Sequence, residues 1–215
     1  MDKPFPVPYI FHFSNFVIED LVGFILGIFF AVTISAEAQA LVAGVLGDVR
    51  KDAKDRGHYF FLFHLDILGT LAFFIEGFGW PRKMPIDPSK FEYPRLYTIV
   101  ARFAGPVANF LLAGIAGSVG VIMQFINIDP RLFHEVIAVN LTVAIYNMLP
   151  LPPLAASYIL SEPLTGKFDN IKKVFELAGP WVLIGILLLD RWYNLKLFSP
   201  YFDPVIIAIY KFVIS

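Results

Sequence analysis

The sequence contains no cysteine, few charged residues and only four histidines. Without cysteine the chain forms no disulfide, offers no thiolate to a metal and has no cysteine nucleophile. Charged residues make up 16% of its 215 positions, well below the roughly 25% of soluble domains. The net charge of −1, with no basic stripe, argues against a nucleic-acid-binding protein.

Long apolar blocks dominate what remains, with 57% hydrophobic residues and a mean hydropathy of +0.67. A membrane-spanning helix needs about 20 mostly apolar residues. The sequence therefore predicts an all-α polytopic membrane protein with about six membrane-embedded segments, in a single domain over residues 1–215. The predicted segments are 21–46, 58–75, 96–126, 134–149, 175–189 and 204–214. The basic residues divide almost evenly between the two sides, so they give no orientation.

Two stretches outside these blocks carry their own predictions. The first twenty residues are rich in proline and aromatic residues and do not resemble a secretory signal, so we expect them to remain attached at the membrane interface. Residues 76–94 are rich in glycine and proline and cannot form one regular helix. We expect a short edge strand or re-entrant hairpin around residues 83–86. Irregular backbone at membrane depth must be buried or line a cavity, which predicts that this segment adjoins the functional site.

Glu37 is the only ionisable residue between positions 21 and 47. Acids inside a membrane usually line a cavity or a functional path. The frame Ala36-Glu37-Ala38-Gln39-Ala40 keeps the glutamate of the zinc-protease pattern H-E-x-x-H and has alanine where both metal-binding histidines would stand. A structural acid or a proton path through Glu37 is the alternative interpretation.

A second motif closes the fourth apolar block. It reads Asn147-Met148-Leu149-Pro150-Leu151-Pro152-Pro153-Leu154-Ala155. With the first motif it resembles the site-2 protease family of intramembrane zinc metalloproteases, in its compact prokaryotic branch, where an N-x-L-P-x-x-P-x-D-G segment supplies the third zinc ligand. Weaker similarities lie at residues 47–48, 64–70, 78–88 and 104–109. The resemblance covers about residues 17–165, and apolar segments follow over 166–215.

The resemblance implies a site from which all three zinc ligands are missing. The two histidine positions fall on Ala36 and Ala40, and the aspartate position falls on Ala155. Glu37 occupies the general-base position, and Asn147 is a candidate contact for the substrate or the oxyanion. A catalytic zinc ion needs three protein ligands, and alanine has no donor atom. We therefore expect no zinc cofactor and no peptide hydrolysis, whereas an active parent would use zinc to cut membrane proteins within the bilayer.

The resemblance also implies where a substrate would bind. An extended substrate segment would pair by β-addition with the irregular edge at Met84, Pro85 and Ile86. The expected partners are the lipid bilayer and a membrane-anchored substrate or partner subunits, in a multi-pass protein of a prokaryotic inner or plasma membrane.

The sequence leaves the origin of the three alanines open. Their confinement to the ligand positions favours deliberate substitution of an active parent. A natural pseudoprotease that acts as a subunit or scaffold in a membrane complex is the alternative.

Two further expectations concern polar residues near the apolar blocks. A replacement metal site built from His58, His64, Asp66 and His134 is disfavoured, since helical residues two apart do not share a face. We expect His64 and Asp66 to pack the second block through hydrogen bonds. We expect the Arg102 side chain to reach the membrane interface.

Overall fold

The computed structural model describes residues 17–49, 64–164, 166 and 168–215. Within these ranges the chain forms seven α-helices and two short 3₁₀ turns, and no β-strand. The helices are α1 (Ile18–Val45), α2 (Ile67–Glu76), α3 (Pro94–Phe125), α4 (Arg131–Tyr146), α5 (Ser157–Ser161), α6 (Asp169–Tyr193) and α7 (Ser199–Val213), and the 3₁₀ turns are Pro88–Lys90 and Glu162–Leu164. The N-terminal segment, which the sequence predicts to lie at the membrane interface, and the start of the second apolar block, with His58, lie outside the described residues.

Helices α1, α3 and α4 pack against one another and form the centre of the bundle. Every residue from 135 to 144 of α4 is buried. Phe24 and Ile28 of α1 belong to the same apolar cluster as Ile137 and Leu141 of α4. A helix surrounded on all sides needs no polar face, which explains why this stretch is mostly apolar. Its polar residues Glu135, Asn140 and Thr142 are buried with the rest.

The second apolar block is not one long helix. Its helix α2 begins at Ile67 because Asp66 caps it, and Asp66 Oδ1 accepts hydrogen bonds from Gly69 N at 2.8 Å and from Trp80 Nε1 at 3.0 Å. The helix ends at Gly77, whose φ of 73° is the left-handed conformation that favours glycine. Asp66 therefore packs the second block as expected. With ten residues, however, α2 is too short to cross a bilayer.

Helix α3 is continuous through Arg102 and Gly105-Pro106. Pro106 removes one backbone hydrogen bond, but the helix is held there by its contact with α1. A Cβ on Gly105 would lie 2.3 Å from Ser35 Oγ of α1. Glycine thus allows the two helices to cross closely, and the crossing fixes Arg102, about one turn earlier in α3, beside α1.

The predicted edge strand at residues 83–86 is absent, since no strand occurs where the structure is described. A single antiparallel bridge joins Leu65 and Pro81 instead. The prolines of this segment have no N–H, so the pairing cannot extend into a ladder. The segment is fixed to the end of α1, because Asp87 N donates to Asp48 Oδ2 at 2.9 Å.

Two helices of the described chain, α1 and α3, are long and apolar enough to cross a membrane, judged by length and composition. Helices α4 and α7 have 16 and 15 residues, short of the roughly 17 to 25 usual for a span. Helix α6 has 25 residues but carries charged residues toward both ends. The fold is all-helical as predicted, while the number of six membrane segments stays a prediction.

We expect Gly105→Ala to lower the free energy of unfolding by about 1–3 kcal/mol, because the added methyl group overpacks the contact with Ser35. Gly114→Ala is the matched control, since a Cβ at Gly114 meets no atom within 4 Å. Alanine is otherwise favoured over glycine in a helix by about 1 kcal/mol. Thermal unfolding of the detergent-solubilised proteins should therefore show a lower midpoint only for Gly105→Ala. Equal midpoints would contradict the close helix crossing.

Candidate functional site

The three positions at which the resemblance places zinc ligands carry only methyl groups. Ala36 and Ala40 lie one turn apart on α1, and Ala155 lies in the proline-rich loop between α4 and α5. Ala36 is 0% exposed and Ala155 is 5% exposed, while Ala40 is half-buried. None of these side chains has an atom that could coordinate a metal.

Asn147, at the end of α4, holds the loop that carries Ala155. Its Nδ2 donates to Val143 O at 2.8 Å, and its Oδ1 accepts from Ala155 N at 3.1 Å. Its backbone oxygen accepts a further hydrogen bond from Ala156 N at 3.0 Å. An amide can make more bonds than these two side-chain ones. Asn147 therefore has a definite structural role, and its contact with a substrate stays a prediction.

A small cavity of about 30 Å³ joins the two sequence motifs. This volume corresponds to roughly one water molecule. Residues from α1, from the irregular segment, from α3 and from the proline-rich loop and α5 line it. They are Ser35, Gln39, Trp80, Pro81, Arg82, Lys83, Arg102, Asn147, Pro153, Ala155 and Tyr158. The first and second motifs therefore meet at one cavity, and residues 80–83 of the irregular segment line it. That this cavity is the functional site stays a prediction.

Glu37 is not among the residues that line this cavity. Its Oε1 lies 3.3 Å from His64 Nε2, and 34% of its side chain is exposed. Successive side chains point about 100° apart around the axis of a helix. Because Ala36 faces the buried side of α1, the side chain of Glu37 points to the flank of the helix. His64, expected to pack the second block, thereby ties that block to α1.

The sequence predicts that the Arg102 side chain reaches the membrane interface, and this prediction is wrong. It is 5% exposed, and its Nη1 donates to Gln39 Oε1 at 2.9 Å. Its guanidinium carbon lies 4.8 Å from the centroid of the Tyr158 ring, a cation–π contact. Gln39 and Tyr158 provide an acceptor and an aromatic face inside the protein, and these contacts hold the cation there.

The residues around this cavity do not fit a zinc ion. In the described ranges, no group of three histidine, cysteine, aspartate or glutamate side chains could hold a metal. Zinc takes nitrogen, oxygen or sulfur donors, whereas this cavity presents the methyl group of Ala155 and the cation of Arg102, which repels a metal ion. His134 and His64 form no replacement set in the described ranges, and His134 Nδ1 instead lies 2.6 Å from Tyr210 Oη.

The predicted substrate-binding residues differ in accessibility. Met84 is buried, Ile86 is half-buried and Pro85 is exposed. Residues 81–83, just before them, form one wall of the cavity. Since Pro85 has no N–H, it could offer an extended peptide only its carbonyl oxygen. Substrate binding at these three residues stays a prediction.

The chain is helical, two of its helices could cross a membrane, and a zinc-protease-like frame meets a proline-rich loop at one cavity. These features define the class of this protein as metalloprotease-like. The chain belongs to a zinc metalloprotease family. It is 32% identical over 193 residues to the Bacillus subtilis (strain 168) protein named "Putative zinc metalloprotease YwhC". The match covers 79% of this chain and 87% of that relative. No family model matches the chain, and no solved structure matches it significantly.

Sequence reasoning missed the contact set formed by Gln39, Arg102 and Tyr158. A signal was present, because Arg102 is the only basic residue between positions 96 and 130 and Gln39 is the one uncharged polar residue of the alanine frame. Polar residues isolated in apolar helices commonly pair across helices. The sequence pattern does not show which of them do so.

Asn147→Leu is expected to lower the free energy of unfolding by about 1–3 kcal/mol, because the buried N–H of Ala155 loses its acceptor. Asn140→Leu is the matched control on the same helix. Asn140 is fully buried, its Nδ2 donates to Val136 O, and its Oδ1 has no hydrogen-bond partner where the structure is described. Thermal unfolding of the two purified variants should show the larger loss for Asn147→Leu, and the reverse order would contradict this assignment.

Proposed function

We propose that this chain is a site-2-protease-type member of its family that is embedded in the membrane and binds polypeptide segments without cleaving them. The observation that carries the proposal is the buried contact between Arg102 and Gln39 at the cavity that Ala155 lines. An active parent would hold zinc at the positions of Ala36, Ala40 and Ala155 and would cut membrane-protein substrates. In this chain the Arg102 cation lines the same cavity as Ala155.

The loss of hydrolysis follows from the chemistry of the donor set. A bound zinc ion lowers the pKa of a water molecule and polarises the substrate carbonyl. Methyl groups at Ala36, Ala40 and Ala155 can hold no ion that would do either. Glu37, at the general-base position, contacts His64 and does not line the cavity. The metal donors are therefore missing from the site, and Glu37 would have to turn away from His64 to act there.

The surface of the bundle supports a membrane-embedded location. Apolar residues of α1 and α3 line an open groove between these helices. Large side chains such as Leu41, Val107 and Leu111 are exposed there. A contiguous apolar surface suits lipid chains better than water. We infer a multi-pass protein in contact with the bilayer, and the bacterial relative favours a prokaryotic inner or plasma membrane.

The irregular segment supports the binding of a polypeptide. Its residues 81–83 line the cavity, and the backbone of residues 83–86 belongs to no helix or strand. Unpaired backbone groups of such a segment would receive an extended chain by β-addition. A membrane-anchored polypeptide bound there would lie across the cavity opening.

Helix α6 favours a second candidate function, that of a structural subunit in a membrane complex. Its exposed side chains include Val174, Leu177, Trp181, Leu188 and Trp192. Their spacing of three, four, seven and four residues places them along one face of the helix. Co-purification of a fixed set of membrane subunits would favour this function over transient binding of polypeptides.

Elemental analysis tests the metal part of the proposal. The unmodified chain should hold far less than one zinc ion per molecule. The triple change Ala36→His, Ala40→His and Ala155→Asp should restore weak zinc binding. Adding Arg102→Gln should raise the zinc affinity about tenfold or more, because a repelling cation is removed. Arg95→Gln in the same background is the control, since Arg95 is exposed on the same helix. Stoichiometric zinc in the unmodified chain would overturn the proposal.

Reconstitution in liposomes with a transmembrane reporter peptide tests catalysis and binding separately. The unmodified chain should cross-link to the reporter and release no fragment. The zinc-loaded variant with restored ligands and Arg102→Gln should release fragments. Fragment release by the unmodified chain would disprove the non-catalytic assignment, and absence of cross-linking would disprove the binding part.

A further inference from the structure

The buried charge of Arg102 has no anionic partner in the described part of the chain. Its Nε is buried and makes no hydrogen bond there. Its contacts are to the neutral groups of Gln39 and Tyr158, and none of the ion pairs includes it. A buried cation without a counter-charge is costly, and an unsatisfied donor favours an incoming acceptor. The cavity is therefore suited to an anion.

Two more cations line the same cavity and strengthen this preference. They are Arg82 and Lys83 of the irregular segment. The Lys83 Nζ lies 5.6 Å from the centroid of the Tyr158 ring and also contacts Glu176. Burial alone would lower the pKa of Lys83, but Tyr158 and Glu176 raise it above its ordinary value, so Lys83 is charged at neutral pH. Glu176 offsets Lys83. Arg82 is exposed, so the buried Arg102, which has no ion pair in the described ranges, is the main source of positive charge at the cavity.

The shape of the cavity favours one class of anion. Its volume of about 30 Å³ is small, and Ser35 and Asn147 add neutral polar groups to its wall. A planar carboxylate is smaller than a tetrahedral phosphate and matches the planar fork of a guanidinium group. A carboxylate therefore exceeds the available space by less than a phosphate does, and it matches the guanidinium donors better.

We propose that this cavity is a carboxylate-binding site that takes an acidic group of a bound polypeptide, with Arg102 as its principal ligand. The inference rests on the proposed function, since a polypeptide along residues 81–86 would bring such a group to the cavity. The carboxylate is either the C-terminus of that polypeptide or an aspartate or glutamate side chain. Both present the same atoms to Arg102.

Isotope-labelled acetate tests the site without any polypeptide. Titrated into the full chain in neutral detergent at constant ionic strength, acetate should show a broadened carbon NMR signal on binding. Labelled acetamide has nearly the same shape and no charge, and its signal should stay sharp. Arg102→Gln should weaken acetate binding about tenfold or more, because charge-assisted hydrogen bonds are lost. Arg95→Gln should leave acetate binding unchanged.

Equal behaviour of acetate and acetamide, or unchanged acetate binding in Arg102→Gln, would overturn the inference. If Arg102→Gln fails to fold, the comparison of acetate with acetamide on the unmodified chain still decides. This assay needs no polypeptide, so its result is separate from that of the cross-linking experiment.

Two pairs of short peptides identify the source of the carboxylate. N-acetyl-trialanine with a free C-terminus is compared with its C-terminal amide, and an N-acetylated Ala-Asp-Ala amide is compared with its asparagine counterpart. Displacement of acetate by the charged member of one pair assigns the source to that group. If neither charged peptide displaces acetate, the proposal that a polypeptide supplies the carboxylate is wrong.

Discussion

The guanidinium group of Arg102 lies inside the protein, hydrogen-bonded to Gln39 and stacked on Tyr158. This contact links α1, α3 and α5 at the cavity where the two sequence motifs meet. Because a buried cation needs compensation from its surroundings, these three elements depend on one another at this point. The same cation would repel a metal ion and attract an anion at this cavity.

Two local features of the backbone position this contact. Gly105 allows α3 to cross α1 at Ser35, which brings Arg102 to the level of Gln39. Asn147 bonds to the backbone of Ala155 and holds the proline-rich loop against the same cavity. Both features depend on close backbone contact or on backbone hydrogen bonds, so neither requires the metal ligands. This explains how the scaffold of a zinc metalloprotease family can persist in a chain that has alanine at the ligand positions.

The position of Arg102 also bears on the origin of the three alanines. Simple removal of ligands from an active parent would leave a gap bounded by methyl groups. Here a buried arginine, an acceptor from Gln39 and an aromatic face from Tyr158 occur together at that place. A buried cation is stable only with such partners. A natural pseudoprotease, the alternative to deliberate substitution, would be expected to carry such a coordinated set.

The sequence by itself determined that the fold is all-helical, where the irregular stretch lies, and that the positions at which the resemblance places zinc ligands carry no donor atom. Each of these depends on local chemistry: runs of apolar residues, prolines without an N–H, and side chains that end in a methyl group. Tertiary structure decided that Arg102 lies inward and that Glu37 turns toward His64. Helix α1 is apolar around almost its whole circumference, so its periodicity does not show which face will be buried. Only packing against α3 and α4 sets its rotation, and with it the polar groups that meet at the cavity.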